Sequence, residues 1–230
     1  MFSKNKFLNK IRLILIMKKE FYAKSFEEDF ILKTIKGKKK VKFQSIQNIL
    51  KTKTIKPNTK SFGREKRLAC SLLNKNYLKT YRAQGIIFQT SIKPDFVYPF
   101  DIVILSNAKK IIVQYYRIKD NLHIYYNHNL LPGFDKFVFK SSKEMIKKFP
   151  SPKTAWEKAN KFRKEHGFEI LPKQKYKLVE YNEIIFHKPI KIKPIAIFGY
   201  KKITKEISKK YNLPCFRTAK EFWNKHHNNF

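Results

Sequence analysis

The sequence predicts an α/β protein: a central mixed sheet with flanking helices, preceded by a basic N-terminal arm. Three observations predict it. Short apolar runs rich in Ile, Val, Phe and Tyr recur between residues 81 and 198, which is strand composition. Helical patterns with capping residues stand among those runs rather than apart from them, at 61–79, 151–164, 204–211 and 218–226. The first sixty residues are rich in lysine and show little apolar periodicity. These divisions give three segments: an arm over 1–60, partly extended, an α/β domain over 61–167 and a small α/β extension over 168–230.

In the arm, residues 7–17 (FLNKIRLILIM) are too few and too interrupted by charge to span a bilayer. Lys18 and Lys19 stand where a signal peptide would have its small cleavage residues, so the stretch reads as a short amphipathic helix, with a basic arm or an organelle address as the alternative. The runs KGKKKVK (36–42) and KTKTIKPNTK (51–60) read as extended chain able to lie along phosphates. Residues 61–79 read as a helix, with Ser61 as cap and Leu68, Leu72 and Leu73 on its apolar face. Residues 81–89 (YRAQGIIFQ) read as a strand and 94–99 as a loop.

Residues 100–119 (FDIVILSNAKKIIVQYYRIK) hold two apolar runs, 102–105 and 111–113, about a polar turn, which reads as a β-hairpin. Asp101 stands at its entrance; Gln114, Tyr116, Arg117 and Lys119 gather at its exit, where a metal or phosphate could be held. Further strands are expected at 122–126 and 138–139, with a turn or loop at 127–134 that holds Pro132 and Gly133, and Asp135 reads as a turn residue. The helix over 151–164 has Ser151 or Thr154 as cap, Gly167 at its end, and Trp156 and Phe162 on its core face. Strands at 168–171, 176–181, 183–187 and 194–198 follow, then the helix at 204–211, a short CFR strand and the last helix. The lone Gly199 does not make a glycine-rich phosphate loop.

Charge points to the partner. Lys and Arg number 52 against 17 Asp and Glu, a net +35 with a pI near 10.1. Such an excess repels itself in an isolated fold and calls for a polyanion, nucleic acid before an anionic membrane. AT-rich codons would enrich Lys, Asn, Ile, Phe and Tyr but would not deplete acids, so the shortage of acids is the informative half. The cations expected on phosphate are Lys38, Lys39, Lys40 and Lys42 with Arg64, Arg67, Arg82 and Arg117. Aromatics interleave with cations in YYRIKDNLHIYYNH (115–128), a pattern suited to stacking on bases. Cys70 and Cys215 lie far apart and read as reduced thiols of an intracellular compartment. No Cys/His spacing fits zinc, and nothing places a Ser/His/Asp triad.

The helix carrying Glu65, the Phe100–Asp101 strand start and the Val113–Gln114–Tyr115–Tyr116 exit together resemble the PD-(D/E)XK nuclease superfamily, in particular its Holliday-junction-resolvase-like branch. The resemblance covers roughly residues 61–120. It implies a restriction-endonuclease-like hairpin core, with Glu65 and Asp101 holding Mg²⁺ and Gln114 offering a neutral oxygen ligand. The ion would polarise the scissile phosphate and activate a water. Tyr116 stands at the position of the family's lysine, so the missing charge falls to Arg117 or Lys119 at the strand's end. The expected function is nucleic-acid binding, RNA or DNA, with Mg²⁺-dependent phosphodiester cleavage if the site is complete. The alternative is a non-catalytic RNA-binding component of a ribonucleoprotein, such as an organellar ribosome, among partner proteins. Either places the chain in the cytoplasm or organelle matrix of an AT-rich genome.

Overall fold

A seven-stranded mixed sheet organises the protein. The computed structural model describes residues 20–26, 46–57, 67–105, 113–118, 121–126, 132–200 and 202–227. The strands of the sheet are β1 (Phe21–Ser25), β3 (Leu68–Leu73), β4 (Gly85–Gln89), β5 (Phe96–Tyr98), β8 (Glu183–Phe186), β10 (Lys193–Phe198) and β11 (Cys215–Phe216). They lie in the order β11-β10-β4-β1-β3-β8-β5. Within this sheet β10 and β11 run parallel and the other neighbours are antiparallel. Two small ribbons complete the described strands, β2 (Thr54–Ile55) with β9 (Ile190–Lys191), and β6 (Val113–Ile118) with β7 (Asn121–Tyr126). The central sheet draws strands from all three compositional segments, and β1, from the basic arm, lies at its middle.

Helices cover both faces. Ala23, Leu73, Ile87, Ala196 and Phe198 form one apolar layer with Phe216 and with Ala219 and Phe222 of α5 (Ala219–His227). The opposite, larger core takes Tyr22, Cys70, Leu72, Ile86 and Phe88 from the sheet, Ile46, Ile49 and Leu50 from α1 (Ile46–Thr52), and Ile207 from α4 (Lys202–Tyr211). Tyr211 Oη donates to Gln47 O at 3.2 Å, joining α4 to α1. Beyond β5 the same core continues as packed rings: Phe137 lies 5.5 Å from Phe100, 5.6 Å from Phe149 and 5.2 Å from Phe162. Met145 from α2 (Ser142–Lys148) and Ala155, Ala159 and Phe162 from α3 (Pro152–Glu165) close this part.

α3 matches its sequence signature. Ser151 caps it, its Oγ accepting from Thr154 N at 3.3 Å, with Pro152 in the first turn and Gly167 in the left-handed region just past the end. Trp156 packs partly buried against the core and Phe162 fully within it. Replacing Ser151 with alanine is expected to cost about 1 kcal/mol, the usual worth of such a cap, read as a fall of roughly 2–4 °C in the thermal midpoint. The sequence-predicted strand at 183–187, the 194–198 strand, the helix after Gly199, the CFR strand and the last helix are all present.

Expectations at five places need correction. The 61–79 helix is not formed over its described part: Leu68–Leu73 is strand β3. Leu68, Cys70 and Leu72 suit a strand as well as Leu68, Leu72 and Leu73 suit a helix, and a strand buried on both faces shows no polar alternation to separate the two. The hairpin over 100–119 is not formed as expected either. Ile102–Leu105 is a 3₁₀ turn, and the strand that contains Gln114, Tyr116 and Arg117 pairs with β7, placing Gln114 opposite Tyr125 and Arg117 opposite Leu122. Ile102, Ile104 and Leu105 are buried in the turn, and Arg163 of α3 fixes it by donating Nη1–H to Ile104 O at 2.7 Å. Residues 94–99 are not all loop, because Phe96–Tyr98 pairs with β8 as the sheet's last strand. The strands expected at 168–171 and 176–181 are irregular chain and a 3₁₀ turn at Lys173–Leu178. Phe139 makes a single bridge to Val97 where a short strand was expected.

Among the described residues, no helix is long and apolar enough to cross a membrane.

Candidate nucleic-acid interface

Asp101 follows the edge strand β5 and heads the 3₁₀ turn. Its N–H donates to Leu178 O at 3.3 Å, and its carbonyl accepts from Ile104 N at 3.1 Å. Its carboxylate accepts a hydrogen bond from Tyr181 Oη at 3.3 Å. Burial raises the Tyr181 hydroxyl well above its ordinary range, and the negative charges of Asp101 and Glu183 raise it further. Tyr181 is therefore a permanent donor to Asp101 at physiological pH.

The other side of Tyr181 carries an exposed platform. Its ring meets Tyr81 edge-on at 5.5 Å, and the Arg82 guanidinium carbon lies 4.5 Å over the Tyr81 ring. Tyr81 is 56% exposed. The connection between β3 and β4 that carries this pair also exposes Lys75 and Lys79. It is anchored at three points. Tyr77 Oη donates to Phe149 O at 3.1 Å, Lys79 pairs with Glu180 at 2.7 Å, and Thr80 Oγ1 donates to Arg82 O at 2.6 Å. The platform is thus a held surface rather than a loose loop tip.

Glu183, the first residue of β8, links this group to the sheet. It lies 3.7 Å from Arg67, which immediately precedes β3 and is 6% exposed. Lys24 of β1 donates to Ala69 O at 2.9 Å. Burial holds the Lys24 ammonium below the ordinary lysine range; the charge of Arg67 adds to that, while Cys70 and Glu183 oppose it.

Of the residues singled out from sequence, Asp101 and Arg82 meet through Tyr181 and Tyr81, and Arg67 joins them through Glu183. Gln114 and Arg117 lie on β6, of which the backbone pairing is described. Glu65, Lys119, Lys38, Lys39, Lys40, Lys42 and Arg64 lie outside the described residues. Asp101 heads the 3₁₀ turn and accepts from Tyr181, while Glu65, the other carboxylate of the expected Mg²⁺ set, lies outside the described residues. Among the described residues, no group of three or more His, Cys, Asp or Glu is arranged to hold a metal. Tyr181 and Glu183 gave no signal in the sequence. The Tyr–Arg pattern read at 115–128 also stands at Tyr81–Arg82, and it is the sequence signal for the platform.

Compared with protein-family models, with curated proteins and with solved structures, the chain matches none.

Proposed function

We propose that the protein binds nucleic acid, with an unpaired base stacking on the Tyr81–Arg82 platform and neighbouring lysines on the phosphates. The observation that carries this reading is the exposed Tyr81 ring, braced by Tyr181 below and covered by Arg82, in a chain of net charge +35. A braced aromatic with a guanidinium over it presents a planar surface at little ordering cost, the base stacking on the guanidinium or taking its place on the ring. The guanidinium beside it supplies both a second planar surface and a phosphate partner. An unpaired base reaches such a platform, whereas a base inside a duplex does not, so single strands are the preferred ligand.

The test is fluorescence anisotropy of labelled single-stranded RNA, single-stranded DNA and duplex, across a salt series. Single strands are expected to bind more tightly than duplex, and log affinity to fall linearly with log salt. Tyr81→Ala is expected to weaken single-strand binding by roughly tenfold, since stacking is worth ~1–3 kcal/mol per base. Duplex binding and the thermal midpoint should stay where they were. Affinity that is flat in salt removes the phosphate contacts from the reading, and a Tyr81→Ala chain that binds single strands like the wild type removes the platform. Adding Mg²⁺ to the same mixtures, with Asp101→Ala alongside, reads cleavage separately from binding; an intact strand is the expected result.

A further inference from the structure

The turn between β10 and α4 has a construction that its lone glycine gave no reason to expect. β10 and β11 run parallel with α4 between them, so the turn lies at the carboxyl end of a parallel strand and at the mouth of a ten-residue helix. That is where backbone N–H groups without intrahelical partners face outward and where ligands of open α/β sheets bind. Gly199, whose N–H donates to Phe216 O at 2.9 Å, adopts a φ of +147° that side chains avoid. A Cβ there would lie 2.9 Å from both Thr204 Oγ1 and Gln84 Cβ, so the backbone passes directly against the threonine.

Thr204 is the second observation. It stands in the first turn of α4, is 1% exposed, and its hydroxyl has no hydrogen-bond partner among the described residues. A helical side chain leans toward the N-terminus of its helix, and the close approach at Gly199 sets this hydroxyl against the turn that opens α4. A buried hydroxyl without an acceptor is costly unless a ligand supplies one. Beside it, Tyr200 exposes 64% of its surface at the same turn.

From these we infer that the β10–Gly199–α4 turn is a site for a phosphomonoester of a nucleotide, its oxygens on the first N–H groups of α4 and on the Thr204 hydroxyl, its base against Tyr200. A phosphate oxygen accepts from the hydroxyl and gains the favourable end of the helix dipole. The phosphate can come from a free nucleoside monophosphate or from the 5′ end of a nucleic-acid strand. The site does not depend on the Tyr81 platform.

Calorimetry at fixed ionic strength tests it, with four probes: a nucleoside monophosphate, the corresponding nucleoside, and one short oligonucleotide with a 5′-phosphate or a 5′-hydroxyl. The wild-type chain is expected to prefer the phosphorylated member of at least one pair. Thr204→Val keeps the shape and removes the hydroxyl, and is expected to lower that preference roughly tenfold, the worth of one hydrogen bond to a charged acceptor. Thr204→Ser should restore it. The valine chain should fold at least as stably, because the hydroxyl it loses had no acceptor. Preference confined to the oligonucleotide pair identifies the strand end as the source; preference in the mononucleotide pair identifies the free nucleotide. Equal binding within both pairs, or a preference that Thr204→Val leaves intact, overturns the inference.

Discussion

Gly85→Ala is expected to destabilise the protein by ~3 kcal/mol or more, since the added methyl meets backbone and not only a side chain. On a chain of this size that is a fall of roughly 6–12 °C in the thermal midpoint. Gly85 begins β4 and faces Ser25 of β1 on one side and Phe198 of β10 on the other. A Cβ would sit 2.2 Å from Lys24 O and 2.8 Å from Phe198 Cζ. The ring can turn aside, but the carbonyl belongs to the central strand. Moving it parts the β1–β4 ladder and disturbs Lys24, whose ammonium is already buried against Ala69 O. Phe198→Leu in the alanine background should therefore recover only a fraction of the loss. Urea or thermal unfolding of the three chains decides it, and an alanine chain with the wild-type midpoint would show that β1 and β4 do not approach as described.

That close approach was out of reach of the sequence, and the reason is general to this fold. Local signals stand in the sequence itself: Ser151 before a helix and Gly167 after it, or the alternation of PIAIF, helix, CFR and helix, each carry their own punctuation. What depends on a distant partner could not be. FYAKS is five residues in a lysine-rich arm, and becomes the middle strand only because β3 and β4 flank it. LACSLL has no polar alternation because both its faces are covered. IVIL forms a turn whose Ile102, Ile104 and Leu105 enter the core, in place of the first strand of the expected hairpin.

The site divides in the same way. Asp101, Arg67 and Arg82 were recognisable as chemistry-bearing residues, but the tyrosine that connects Asp101 to Tyr81 lies 80 positions along the chain. Asn182, just before β8, likewise gives no sign in sequence that it lies buried and mimics a strand residue, accepting from Leu72 N at 2.6 Å and donating to Leu72 O at 3.0 Å. These side chains share a property that periodicity cannot report. They are polar groups that folding has removed from water.

That property sets the response to alkali. Burial pushes the Cys70 thiol up to about 12, against an ordinary value of 9.0, with Lys24 opposing the rise. Burial likewise raises the hydroxyls of Tyr22, Tyr77 and Tyr181, with Glu20 adding to the first and Asp101 and Glu183 to the last. All four groups keep their protons in the folded chain at pH values where the unfolded chain has lost them. The folded state then binds more protons, so stability falls as pH rises, beginning near the unfolded values of 9 to 10. Lys24 has the opposite sign: its folded value is depressed, so between that value and the ordinary lysine value stability rises with pH. Burial lowers Arg163 as well and raises the Cys215 thiol, so two groups stand against five. Cys70 by itself is expected to remove about 4 kcal/mol by pH 12, because each tenfold fall in proton activity between its unfolded and folded values takes away about 1.36 kcal/mol. Neutralising lysines above pH 10 relieves self-repulsion in a chain of +35, so the measurement belongs in high salt, where that contribution is screened. Thermal midpoints should fall progressively above about pH 9, where the buried thiol and tyrosines come into play. Tyrosinate absorbance should show a late fraction that appears together with unfolding. Cys70→Ala should remove up to one proton from the slope above pH 9. A midpoint that rises from pH 9 to 11 in high salt would mean that Lys24 outweighs the buried thiol and tyrosines, and that those side chains ionise while the chain is still folded.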